Sequence, residues 1–151
     1  MSGEKSSFEY SEWRVKFRTL GAKLIIIYRS PYSEKPPVTP CTFFNEFSYY
    51  LAPIILSPES LLLTGDFNIH VDVPSDPHVK MFFDWLSSMG LYQHVNIPTH
   101  ISCHTLDLFT REHDSIITSK PIVDCFLSDH ASVNCPLNTK LEVCYRKLRV
   151  D

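Results

Sequence analysis

No apolar run in this chain approaches the roughly 20 residues that a membrane-spanning helix needs, so membrane insertion through helices is not expected. The opening stretch, Met1 to Glu12, lacks the basic start and apolar centre of a signal peptide, so an intracellular chain, nuclear or cytoplasmic and not secreted, is expected. The five cysteines, Cys41, Cys103, Cys125, Cys135 and Cys144, include no Cys-x-x-Cys pair. That excludes zinc-ribbon and dithiol redox motifs and favours buried or free thiols over a disulfide framework. There is no Gly-x-Ser-x-Gly nucleophile elbow, no internal repeat and no linker rich enough to divide the chain. A net charge of −3 supplies no overall field that would draw in nucleic acid.

What is present is ordinary globular composition. Hydrophobic residues make up 44% of 151 positions and charged residues 21%, enough to build the core of one domain and unlike the composition of disordered chains. The run Leu24 to Tyr28 suits a strand buried on both faces, and Leu61 to Phe67 suits a second. Between them, Ser30 to Pro40 holds four of the 11 prolines and reads as loop. A helix is expected from Thr39 as N-cap and Pro40 as its first residue, with Phe43, Phe47, Tyr50, Leu51 and Ile54 on one face and Pro53 weakening its end. Asp76-Pro77 starts a second helix with Val79, Phe82, Phe83, Leu86 and Met89 as its buried face and Gly90 as the stop. Short strand-like pieces follow at Leu91 to Val95, Thr105 to Phe109, Ser115 to Thr118, Ile122 to Leu127 and Ala131 to Val133. Helices alternate with strands first and a strand-rich section follows, which predicts a mixed sheet covered by helices, an α/β (α+β) class.

Several polar groupings could carry chemistry. Arg14, Lys16 and Arg18 alternate with Trp13, Val15 and Phe17, so a strand there presents one basic face, either to a phosphate backbone or simply to solvent. His100 and His104 are four apart, but Ile101 and Ser102 between them read as loop or strand, a poor setting for zinc. Three clusters end apolar strands. In Gly65-Asp66-Phe67-Asn68, an extended chain points Asp66 and Asn68 the same way and Phe67 into the core. The carboxylate can take a proton from water and the amide can hold that water or an anion; a turn with side-chain capping is the simpler alternative. In Thr105-Leu106-Asp107 the aspartate can orient a histidine, or be a plain edge-strand carboxylate. In Ser128-Asp129-His130 the histidine can donate to a phosphate oxygen and the aspartate can hold a divalent metal or handle a proton.

Taken in order, these clusters resemble the endonuclease/exonuclease/phosphatase superfamily, which includes DNase I and the abasic-site endonucleases. The resemblance is closest to the endonuclease domain of LINE-type (non-LTR) retrotransposons. It rests on Ile25-Ile26-Ile27-Tyr28-Arg29-Ser30-Pro31-Tyr32, Thr64-Gly65-Asp66-Phe67-Asn68-Ile69-His70, His104-Thr105-Leu106-Asp107-Leu108 and Phe126-Leu127-Ser128-Asp129-His130-Ala131. It spans residues 8–138, leaving 139–151 as a basic tail expected to be poorly ordered. The resemblance implies a DNase I-like two-sheet β-sandwich flanked by helices, magnesium (or manganese) as cofactor, DNA as partner, no membrane and no obligate protein partner. It assigns Asp66 and Asn68 to the attacking water and His130 to the phosphate, with Asp107 as the partner of His130. Asp129 falls near metal or leaving group, and Tyr28 and Thr99 contact the substrate; Asp66 and Asp129 are the metal residues.

Two departures bear on activity. The family carries an asparagine and a metal-binding glutamate on strands well upstream of the Tyr28 block, and only 27 residues precede Tyr28 here. Glu4, Glu9 and Glu12 lie in the wrong context to replace that glutamate, so the chain reads as the rear part of such a domain, its front portion missing. The Leu108 to Arg111 stretch is also one apolar residue short, and a one-residue slip would turn the following side chains over. The expected function is magnesium-dependent hydrolysis of DNA phosphodiesters. The alternatives are a catalytically inactive fragment of a retrotransposon reading frame, or a phosphoesterase for a small or lipid phosphate ester.

Overall fold

The computed structural model describes residues 6–16, 21–30, 39–69, 71, 73, 75–101, 107–111, 117, 119–126, 128–137 and 146–148, with the backbone alone described for 16, 107–111, 125 and 146–148. Its strands are β1 (Glu9–Lys16), β2 (Gly21–Tyr28), β3 (Ser60–Asp66), β4 (Leu91–Gln93), β5 (Asp107–Arg111), β6 (Ile122–Phe126), β7 (Ala131–Asn134) and β8 (Arg146–Leu148). Two helices, α1 (Pro40–Ile55) and α2 (Pro77–Ser88), lie between strands. Six strands form one sheet in the order β4-β5-β3-β2-β1-β8, and β6 and β7 form a separate antiparallel pair. Within the larger sheet only β2 and β3 run parallel, joined by a crossover through α1; the other pairs are antiparallel. The protein is thus mixed α/β, as its alternation of patterns predicts.

The helix starts form as their sequences dictate. Thr39 Oγ1 accepts the Thr42 N–H at 3.1 Å, and Asp76 Oδ1 accepts the His78 N–H at 2.8 Å, each cap followed by a proline in the first turn. Pro53 does not end α1, which continues to Ile55. Tyr49 and Pro53 both face outward, where solvent can satisfy the Tyr49 carbonyl that Pro53 leaves without a donor. Phe44 joins the predicted stripe of α1 as a buried residue. Phe83 leaves the predicted stripe of α2: it is 44% exposed, while Val79, Phe82 and Leu86 are buried.

Two apolar layers lie on the two faces of the sheet. On one, Ile25, Ile27, Leu61 and Leu63 pack with Phe43, Phe47, Leu51, Val79, Phe82 and Leu86 of the helices. On the other, Leu62 and Leu24 pack with Val95, and with Val123 and Val133 of the β6–β7 pair. Leu61, Leu62 and Leu63 are therefore buried in succession, the doubly covered strand expected for β3. The same expectation fails for β2. Ile26 and Tyr28 are exposed, because the second layer reaches Leu24 but does not include them.

Strand β1 carries the alternation read from its sequence: Arg14 is exposed and Trp13 and Val15 are half-buried. Arg14 is engaged, its Nε lying 3.0 Å from Glu59 Oε1; the side chain of Lys16, and Phe17 and Arg18, lie outside the described residues. The strand is not a bare edge. Arg146–Leu148, within the stretch expected to be a poorly ordered tail, pairs with Glu12–Arg14. Strand β5 pairs with β3 over four residues without a register break, from Gly65 opposite Asp107 to Leu62 opposite Thr110. Of the piece Ser115 to Thr118, Ile117 forms an isolated bridge to Leu137. No helix among the described residues is long and apolar enough to cross a membrane.

Candidate functional site

The parallel pairing of β2 and β3 makes both strands end together, with Tyr28 the register partner of Asp66. Their ends are then tied by a short network. The Arg29 N–H donates to the Asp66 carbonyl at 2.9 Å, and the Asn68 N–H donates to Asp66 Oδ1 at 3.0 Å. Asn68 has φ of 50°, so the chain is not extended here, and the expected parallel aim of Asp66 and Asn68 gives way to a capped turn. Asn68 Nδ2 donates to the Arg29 carbonyl at 2.6 Å. Phe67 does enter the core, fully buried against Phe43 and Phe47.

Arg29 closes this turn from beneath. It is 6% exposed, and its Nη1 donates to the carbonyls of Phe67 at 3.1 Å and Asn68 at 3.2 Å. Its guanidinium stands 5.3 Å from the centre of the Phe43 ring. Burial pulls the Arg29 guanidinium below its ordinary range, and the nearby Asp66 charge opposes that shift. Gly65, one step before Asp66, has φ of 156°, and a Cβ there would lie 1.9 Å from the Ile27 carbonyl oxygen. Only glycine lets β3 approach β2 this closely. Asp107 reaches the same end of the sheet, its backbone opposite Gly65. Its side chain, and with it the expected bond to His130, lies outside the described residues.

Thr99, Asp129 and His130 form a second grouping, with His100. His100 and His130 face each other across an antiparallel bridge. The bridge is fixed by the Ala131 N–H to the Thr99 carbonyl at 2.7 Å and the Ile101 N–H to the Asp129 carbonyl at 3.0 Å. Thr99 is fully buried under it. The two imidazoles meet edge to face, with centroids 4.7 Å apart, and His100 Nε2 lies 3.6 Å from Asp129 Oδ2. The backbone N–H of Asp129 and the Ser128 hydroxyl hold the Asp129 carboxyl below the usual carboxylate range, with smaller help from the two histidines. His130 Nδ1 is buried and has no hydrogen-bond partner among the described residues.

The seven candidate residues thus fall into two sets: Tyr28, Asp66, Asn68 and the backbone of Asp107 at the β2–β3 end, and Thr99, Asp129 and His130 at the bridge. A cavity of about 420 Å³ between α2 and β4, lined by Phe83, Tyr92 and Asn96 among others, includes none of them. Sequence reasoning missed Arg29 and His100 as parts of the two sets. A lone arginine directly after an apolar run was the available sign for Arg29; for His100 the spacing to His104 pointed elsewhere. Comparison with protein-family models, with curated proteins and with solved structures finds no match to this chain.

Proposed function

We propose that the chain carries phosphodiester-cleaving residues of the endonuclease/exonuclease/phosphatase type, acting on DNA inside the cell, within a DNase I-like sandwich of which the β6–β7 pair contributes to the second sheet. The observation that carries the reading is the end of the β2–β3 pair. There Tyr28, Asp66 and Asn68 meet in a turn held by the buried Arg29, with the backbone of Asp107 in adjacent register. In this reading Asp66 takes the proton of the attacking water. The Asn68 amide orients that water, and Tyr28, 48% exposed at the strand end, contacts the phosphate. His130 donates to a phosphate oxygen, and the ionised Asp129 lies near the metal or leaving group.

Magnesium takes oxygen ligands and keeps several waters, and the carboxylates of Asp66 and Asp129 are donors of that kind. When bound, it would supply positive charge to the phosphate oxygens. A second reading, DNA binding without cleavage, is favoured by Glu12. Its carboxylate takes the Tyr50 hydroxyl at 2.8 Å and lies 3.4 Å from Lys23 Nζ, so it is committed to packing α1 and β2 onto β1. The test is nicking of supercoiled plasmid in magnesium or manganese, with Asp66→Ala and His130→Ala alongside and DNA binding measured in parallel. Weak nicking lost in both variants supports hydrolysis. Binding without nicking moves the function to the second reading. Neither binding nor nicking, with turnover of a small phosphate ester instead, refutes DNA as the substrate.

A further inference from the structure

The bridge between Thr99–Ile101 and Asp129–Ala131 assembles a donor set unlike the one magnesium requires. His100, Asp129 and His130 each offer one ligand atom, and these atoms all lie within 4.8 Å of one another. Around a tetrahedral zinc ion with bonds of about 2.0–2.1 Å, neighbouring ligand atoms sit about 3.3 Å apart. The 3.6 Å between His100 Nε2 and Asp129 Oδ2 is already close to that spacing. Two imidazoles and one carboxylate leave a fourth position for water, and nitrogen-rich sets of this kind select zinc and its neighbours over magnesium.

The scaffold is held before any ion arrives. Both histidines are opposed in one antiparallel bridge flanked by two backbone hydrogen bonds, so their main chains are fixed relative to each other. Asp129 is the adjustable member, its side chain 60% exposed and able to move the remaining distance. His130 brings a buried ring nitrogen still to be satisfied, an unusual state for a buried polar atom.

We propose that His100, Asp129 and His130 form a site for a single zinc-type divalent ion, with His100 as the residue that distinguishes it from the phosphate chemistry proposed above. Its occupation takes Asp129 and His130 out of that chemistry, so zinc acts as an inhibitor of DNA cleavage; this second consequence rests on the proposed function, and the binding itself does not. The experiment is titration of the purified full chain with zinc by calorimetry and with cobalt(II) by visible absorption, magnesium serving as control. The proposal expects one ion per chain, a tetrahedral cobalt spectrum, and affinity weakened at least about tenfold in His100→Ala and in His130→Ala. His78→Ala, at an exposed histidine of α2, should leave the affinity unchanged. His100→Cys should keep the ion and add a thiolate-to-cobalt band, which separates a lost ligand from a lost fold. Absence of saturable binding, or zinc affinity unchanged in His100→Ala, overturns the proposal. If the cobalt data hold but no cleavage is found for zinc to inhibit, the functional reading fails and the metal site stands.

Discussion

Replacing Gly65 with alanine should damage this protein out of proportion to one methyl group. The added Cβ would meet the Ile27 carbonyl oxygen at 1.9 Å, its carbon at 2.7 Å and its nitrogen at 2.8 Å. All three are main-chain atoms, so no side-chain rotation relieves the overlap, and β3 has to withdraw from β2 by about 1 Å or more to reach a tolerable contact. Overpacking of that kind costs about 1–3 kcal/mol. The φ of 156° adds about 1–3 kcal/mol of backbone strain for a residue with a side chain. Ladder hydrogen bonds lost at the Ile27–Gly65 pairing add about 1 kcal/mol each. A total of about 4–8 kcal/mol is a large share of the roughly 5–15 kcal/mol that holds a domain together. For a chain of this size it corresponds to a fall in Tm of roughly 8–32 °C. Thermal unfolding followed by circular dichroism measures it, with Gly21→Ala as control, since a Cβ at Gly21 has nothing within 4 Å. A Gly65→Ala protein melting within about 3 °C of the parent would refute the argument that β2 and β3 touch here through glycine.

Other substitutions test the remaining features. Phe82→Ala should cost about 3–5 kcal/mol in urea unfolding and Phe83→Ala within about 1 kcal/mol; equal losses would place α2 in a different rotation. Arg29→Met should cost about 2–4 kcal/mol by removing the Nη1 donor to the Phe67 and Asn68 carbonyls, and stability equal to the parent would mean that these bonds are not formed. Burial, and then the bond to Glu12, raise the pKa of Tyr50 above its ordinary 10.0, so the folded state prefers the neutral phenol. Stability from this source is complete below pH 10 and declines as the pH climbs beyond it. Tyr50→Phe should flatten that decline in denaturant titrations, and an unchanged slope would assign it to other groups.

The helix starts were legible because a cap residue followed by proline is local chemistry, complete within four positions. The buried leucines of β3 were legible because an unbroken apolar run has to be covered on both sides. The similar run in β2 misled, since coverage depends on how far a distant hairpin extends: β6 and β7 reach Leu24, and Ile26 is exposed beyond it. Phe83 misled because two adjacent phenylalanines on a helix point about 100° apart and the sequence does not say which one meets the sheet. At the candidate site, the Asp66–Asn68 turn was foreseen as the simpler alternative, since both ends of its hydrogen bond lie within three residues. The partners of Arg29 were not, being backbone carbonyls 38 and 39 residues along the chain. The facing of His100 and His130 rests on a single isolated bridge, and one pair leaves no periodic pattern to read.

The grip of Arg29 on carbonyl oxygens has a consequence for how this region tolerates sequence change. Every amino acid presents the same carbonyl, so the guanidinium registers the path of the chain at positions 67 and 68 and not the identity of what is attached to it. What ties the identity of these two positions is therefore not the arginine but the burial of Phe67 in the core and the left-handed turn and side-chain bond of Asn68. The residue that grips these carbonyls sits just past the first strand of the crossover, so one position there helps to set the shape of a loop that follows the second.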